Sequence, residues 1–215
     1  HTIFFDWYEW ANDDVLLIGA RRTQRQFGSP KYSTTFMYAY NINDKGKVRS
    51  ANEVDINRDK RQPQFGDQVI SFLPNKKDKV LVQGDFDYAN APGVYELDLN
   101  TLRKKKVQRS FNKVTDWIID RQGNVRIALK MDEDEFEYIL YDEDRDKRKT
   151  LFKYKAFSPD VVTILGFDKD PNILYFKALK DGYDALYKMD LTTLKKELVF
   201  SYPNSFYYCH IFYLS

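Results

Sequence analysis

Val161–Phe200 reads VVTILGFDKDPNILYFKALKDGYDALYKMDLTTLKKELVF, and its punctuation decides the fold. Four short apolar runs, Val161–Phe167, Ile173–Lys177, Ala185–Asp190 and Lys195–Phe200, alternate with Asp168-Lys169-Asp170-Pro171-Asn172, Lys180-Asp181-Gly182 and Leu191-Thr192-Thr193. Gly, Pro, Asn and Asp accept the dihedral angles of tight turns. Runs this short, rich in Val, Ile, Tyr and Phe, predict strands. The unit is a four-stranded antiparallel meander.

Three further stretches repeat it. Second strands begin at Val15, Val80, Val125 and Ile173, and third strands at Met37, Val94, Tyr138 and Leu186. A polar insertion, Asn52–Asp67, lengthens the first interval. The later intervals have the ~40–50-residue period of a propeller blade. We therefore expect an all-β chain, a partial β-propeller forming one domain. Its four-stranded antiparallel blades fall at about 4–51, 69–107, 114–152 and 161–200, and 205–215 begin a further blade. If the ring is larger than four blades, the terminal blades expose apolar faces. The polar segment Thr23–Ser33 reads as a long connection and Asp85–Gly93 as a loop. Trp7, Trp10 and Trp117 read as core residues.

Composition narrows the function classes. Among 215 residues, 43% are hydrophobic and 16% aromatic, enough for a sizeable core and favourable to sheet. Lys+Arg 34 against Asp+Glu 32 leaves a net charge of +2, giving no electrostatic case for a nucleic-acid or anionic-membrane partner. No apolar run approaches the ~20 residues of a membrane helix. The expectation is a soluble protein, cytoplasmic or periplasmic. One cysteine, Cys209, excludes an intrachain disulfide and the Cys/His sets of a zinc site.

The acidic run Asp132-Glu133-Asp134-Glu135 lacks the spacing of a calcium loop and reads as a solvated hairpin tip. The run at Asp142 is offset by Lys147, Arg148 and Lys149. No metal or cofactor is expected. The histidines are His1 and His210, neither beside a Ser and Asp that would make a triad, and no G-x-S-x-G nucleophile elbow is present. Hydrolysis by this chain alone is expected to be absent. Asp85-Phe86-Asp87-Tyr88 and Asp181 with Tyr183 lie between second and third strands, the positions expected to face a substrate if the domain gates a site.

Several phrases are more specific than the period. Trp10-Ala11-Asn12-Asp13-Asp14-Val15-Leu16-Leu17 resembles the W-x-N-D-D-x-L-L blade of prolyl oligopeptidase-family serine peptidases, in the acylaminoacyl- and dipeptidyl-peptidase branch. Leu73-Pro74-Asn75 with Val80-Leu81-Val82 and Val94–Thr101, then Trp117 with Asp120–Arg126, then Ala185–Leu191 resemble that family's succeeding blades, in order. The resemblance implies a middle piece of the family's propeller. It implies an α/β-hydrolase domain of the same parent chain as partner, and short peptides as the parent's substrates. Two other readings stand beside it: a stand-alone propeller binding a protein or ligand, and a metal-dependent propeller hydrolase.

Overall fold

The computed structural model describes residues 3–25, 30–51, 63–141 and 148–201. They form sixteen strands and no helix. β1 (Ile3–Trp10), β2 (Val15–Arg25), β3 (Lys31–Asn41) and β4 (Val48–Ser50) make sheet 1; β5 (Gln68–Ser71), β6 (Lys79–Tyr88), β7 (Ala91–Asp98) and β8 (Lys104–Gln108) make sheet 2. β9 (Val114–Ile119), β10 (Val125–Asp132), β11 (Glu135–Tyr141) and β12 (Arg148–Lys155) make sheet 3; β13 (Thr163–Phe167), β14 (Ile173–Lys180), β15 (Tyr183–Asp190) and β16 (Lys196–Ser201) make sheet 4. Every sheet is an antiparallel meander in chain order, and β9 touches β5 on one side and β13 on the other. First strands therefore converge while fourth strands lie outside, the geometry of propeller blades. The start of a further blade expected at 205–215 lies outside the described residues.

Alternation along each strand builds three seams. Val15, Leu17, Met37 and Ala39 of sheet 1 meet Val80, Val82, Tyr95 and Leu97 of sheet 2. Leu81 and Val94, on the other face of sheet 2, meet Trp117, Ala128 and Tyr141 of sheet 3. Ile127, Leu140 and Phe152 then meet Leu174, Phe176 and Met189 of sheet 4. The strands of sheets 2 and 3 are buried on both faces, which explains runs such as Val80-Leu81-Val82.

Turn chemistry is local. The Asn12 side chain accepts from the amides of Asp14 (2.9 Å) and Val15 (2.8 Å), which turns β1 into β2. Asp98 accepts from Asn100 and Thr101, and Asp190 repeats this with Thr192 and Thr193.

Three expectations need correction. Thr23–Ser33 is not a long connection: β2 continues to Arg25 and β3 starts at Lys31, with Thr23 paired to Ser33. The ladder bonds backbone to backbone, so polar side chains mark a solvated hairpin rather than its end. Asp85–Tyr88 are strand residues, since β6 reaches Tyr88 and turns at Ala89-Asn90. The ladder is interrupted only between the Gly84–Gly93 and Tyr88–Ala91 pairs, where Pro92 has no N–H to give. Trp10 is not core; it is 52% exposed on sheet 1.

Candidate functional site

A meander sends its second-to-third-strand turns to one end of the molecule, together with the connectors between sheets. Hydrogen bonds lock these pieces to one another. The amide of Met131 donates to the Lys113 carbonyl (2.8 Å), that of Ala156 to the Asp134 carbonyl (2.7 Å), and that of Gln64 to the Asp85 carboxylate (3.1 Å). The opposite end carries the Asx turns, which bridge blade to blade through Asn12 to the Lys77 carbonyl and Gln122 to the Lys169 carbonyl.

The four residues singled out on β6 divide into two kinds. Asp85 is buried and accepts from the amides of Gln64 and Asn90, which holds the connector against β6. Phe86 packs edge-on to Tyr95 with ring centroids 5.0 Å apart, and the Lys104 ammonium lies 5.0 Å over its ring. Asp87 accepts from the Tyr95 hydroxyl at 2.8 Å and pairs with Lys106. Burial, then the Asp87 carboxylate, pushes the Tyr95 phenol well above its ordinary range. Tyr88, 64% exposed, is the one that projects into solvent.

Asp181 and Gly182 form a two-residue hairpin loop between the paired Lys180 and Tyr183. Both have positive φ, 53° and 83°, the requirement of a type I′ turn. Tyr183 lines an open cleft of about 420 Å³ with Asp181, Leu198 and Phe200. This cleft belongs to sheet 4, and the Asp87–Tyr95–Lys106 cluster to sheet 2, with sheet 3 between them. Among the described residues the two groups lie on separate sheets and do not line the same cleft.

What joins them is the surface of the shared end. Phe65, Met131, Phe157 and Leu179 are exposed there beside Tyr88 and Tyr183. The whole side chain of Phe157 stands in solvent on a residue with φ of 60°, a conformation costly for an aromatic. Sequence reasoning missed Phe65, Met131 and Phe157. The available signal was a lone apolar residue among turn formers, as in Ala156-Phe157-Ser158-Pro159. The acidic tip is neutralised: Asp132 pairs with Lys113, Glu135 with Lys153 and Asp134 with Lys155. Lys113 holds the Asp132 carboxyl below its usual range. Among the described residues, no three His, Cys, Asp or Glu side chains converge as metal ligands. The His1 and His210 positions lie outside the described residues.

The sheet order and seams can be laid on solved structures. The acylaminoacyl peptidase of Pyrococcus horikoshii superposes with a TM-score of 0.56 over 93% of this chain and 32% of that one, at 11% identity. The fold is a β-propeller. This propeller also superposes on the dipeptidyl peptidase 4 of Porphyromonas gingivalis, with a TM-score of 0.52 at 14% identity, covering 90% of this chain and 30% of that one. TolB from Acinetobacter baumannii gives 0.50 at 12% identity, over 90% of this chain and 43% of its own. The chain thus spans less than half the length of each. No family model and no curated protein matches its sequence. Among the described residues no helix is long and apolar enough to cross a membrane.

Proposed function

We propose that this chain is a non-catalytic propeller segment of a prolyl oligopeptidase-type serine peptidase. Its hairpin end is the side that meets an α/β-hydrolase domain of the same parent chain, and it restricts which peptides reach that domain. The observation that carries this reading is the collection of exposed apolar side chains at that one end, Tyr88, Met131, Phe157 and Tyr183 foremost. Exposed aromatics held on a rigid sheet scaffold favour contact with another surface. The likeness to peptidase propellers supports the choice of partner. The mechanism is steric: the propeller admits short or unfolded segments and excludes folded ones.

Kinetics of the native protein, as expressed from its own gene, test the reading. The native protein cleaves a peptidyl chromogenic substrate and the 215-residue chain alone does not. Tyr88→Ala and Phe157→Ala relax discrimination between short and long peptides, changing KM for the long ones. Absence of peptidase activity in the native protein sinks the proposal.

A stand-alone binding propeller is the second reading, favoured by the superposition on TolB, whose name carries no peptidase. A native reading frame without G-x-S-x-G after Ser215 selects it.

A further inference from the structure

The repeat departs from its own pattern at one third-strand position. Ala39, Glu96 and Leu140 occupy equivalent places. Each is paired with a second-strand residue, Leu17, Leu81 or Ile127, and with a fourth-strand cation, Arg49, Lys105 or Lys149. All three face the following sheet. Ala39 and Leu140 are packed into their seams, 1% and 8% exposed. Glu96 puts a carboxylate at that place, with its side chain 11% exposed. Desolvating a carboxylate costs free energy that an apolar residue there avoids. Such a departure from an otherwise consistent pattern is expected at functional sites.

A cleft of about 390 Å³ opens in this seam, flanked by the β5–β6 and β9–β10 turns. Leu73, Leu81 and Val107 give it an apolar floor, Gly123 lies on the sheet 3 side, and Glu96 and Lys105 line the sheet 2 side. Both carboxylate oxygens of Glu96 are engaged, Oε2 by Lys76 at 2.8 Å and Oε1 by Lys79 at 2.7 Å. The other carboxylate acting on Lys79 is Asp98, which accepts through Oδ1 from the amides of Asn100 and Thr101. The ammonium of Lys106, also on the wall, pairs with Asp87. Lys105 has no ion-pair or hydrogen-bond partner among the described residues. In the first seam the equivalent cation is engaged, since Arg49 donates to the Asn100 carbonyl at 2.8 Å. At the Glu96 seam three ammonium groups, Lys76, Lys79 and Lys105, therefore stand against two carboxylates, Glu96 and Asp98.

We propose that the cleft between sheets 2 and 3 binds a small monocarboxylate with an apolar body. The carboxylate accepts from the Lys105 ammonium, a group that can only donate and so calls for an acceptor. The body lies on Leu73 and Val107. An apolar floor with a few convergent polar groups is the usual make-up of a small-molecule site, and the volume falls within the ~300–1,000 Å³ of such sites. A single negative charge matches the single excess positive one. A cationic ligand is disfavoured, because both Glu96 oxygens already accept from lysines and the local charge is positive. Glu96, Lys76 and Lys79 form the frame of the site, a charged wall that holds its shape without filling the cleft. The assignment is independent of the peptidase reading.

Isothermal titration calorimetry of the native protein, as expressed from its own gene, tests this with hexanoate and phenylacetate as probes, against hexylammonium and inorganic phosphate. The carboxylates are expected to bind, hexylammonium not to bind, and phosphate to bind more weakly than either carboxylate. Lys105→Gln is expected to weaken carboxylate binding about tenfold or more, the loss of a charge-assisted hydrogen bond, with the melting temperature unchanged. Lys105→Arg is expected to retain it. Val107→Trp, which fills the floor from an outer strand where Trp is well accommodated, is expected to abolish it. Failure of both carboxylates to bind overturns the proposal. So does equal affinity for phosphate or hexylammonium, and so does carboxylate binding that survives Lys105→Gln and Val107→Trp undiminished. These readouts do not involve peptide hydrolysis, so a failure here is distinct from a failure of the gating proposal.

Discussion

The indole N–H of Trp117 donates to the carbonyl of Pro92 at 2.7 Å, tying the first strand of sheet 3 to the residue at which the ladder of sheet 2 opens. The Trp117 amide makes a second tie, donating to the Gln83 side chain (3.1 Å), whose amide nitrogen reaches Gln68 and Asp116. Proline removes one ladder bond, and its carbonyl recovers a partner from the next blade.

Replacing Trp117 therefore loosens a seam, not only a core. Trp117→Phe keeps most of the ring but orphans the Pro92 carbonyl, at a cost of about 1–3 kcal/mol. Trp117→Ala adds a cavity against Phe111 and Tyr141, for about 3–5 kcal/mol. Urea denaturation midpoints at constant m-value check both.

Gly19 leaves no room for a side chain. A Cβ there would collide with Nε1 of Trp7, whose indole lies across Gly19 and donates to Asp67. Gly19→Ala is expected to destabilise by about 1–3 kcal/mol through displacement of that ring. In a double-mutant cycle with Trp7→Leu the Gly19→Ala cost falls, because the obstructing ring is gone. An unchanged cost in the Trp7→Leu background would exclude the steric account.

Acid weakens the second blade through Glu96. Lys76 and Lys79 hold its carboxyl below the usual range, at 2.8 and 2.7 Å. A folded-state pKa lower than the unfolded value stabilises the fold above the unfolded pKa of about 4.3, and the contribution disappears as pH falls through the folded value. Glu96→Gln is therefore expected to be less stable than the parent at neutral pH and to converge with it in acid. Thermal melts across that range show the convergence, and a constant gap contradicts it.

Phe157 sets stability against contact. With φ of 60° and a ring entirely in solvent, it gains nothing from burial in this chain. Phe157→Gly is expected to stabilise the 215-residue chain by about 0.5–1 kcal/mol by relieving the left-handed strain. Chemical denaturation reads the sign directly.

How much of this was legible beforehand depends on what each signal reports. Turn residues and apolar alternation are local, so Asp168–Asn172 and Asp181-Gly182 placed the hairpins of sheet 4 from the sequence. Asp85–Tyr88 failed as a loop because polarity reports solvent or a buried hydrogen bond equally well. The Asp85 carboxylate is buried beneath a connector residue 21 positions earlier, Gln64, a pairing that no local pattern records. Trp10 failed as a core residue for a related reason: the alternation says that it shares a face with Leu16, but not whether anything covers that face.

Sequence by itself determined the repeating meander, its turns and the faces each strand presents, because φ/ψ preference and period-two alternation act over a few residues. Tertiary structure alone decided which faces were covered and where the cations fell. A spacing count from Asn41 aligns Lys47 with Lys104 and Lys196, yet the longer turn in sheet 1 puts Val48 in that row instead. Hydrogen-bond register fixes the neighbours of a side chain, and register is set by pairing between strands, which the order of residues along one strand does not contain.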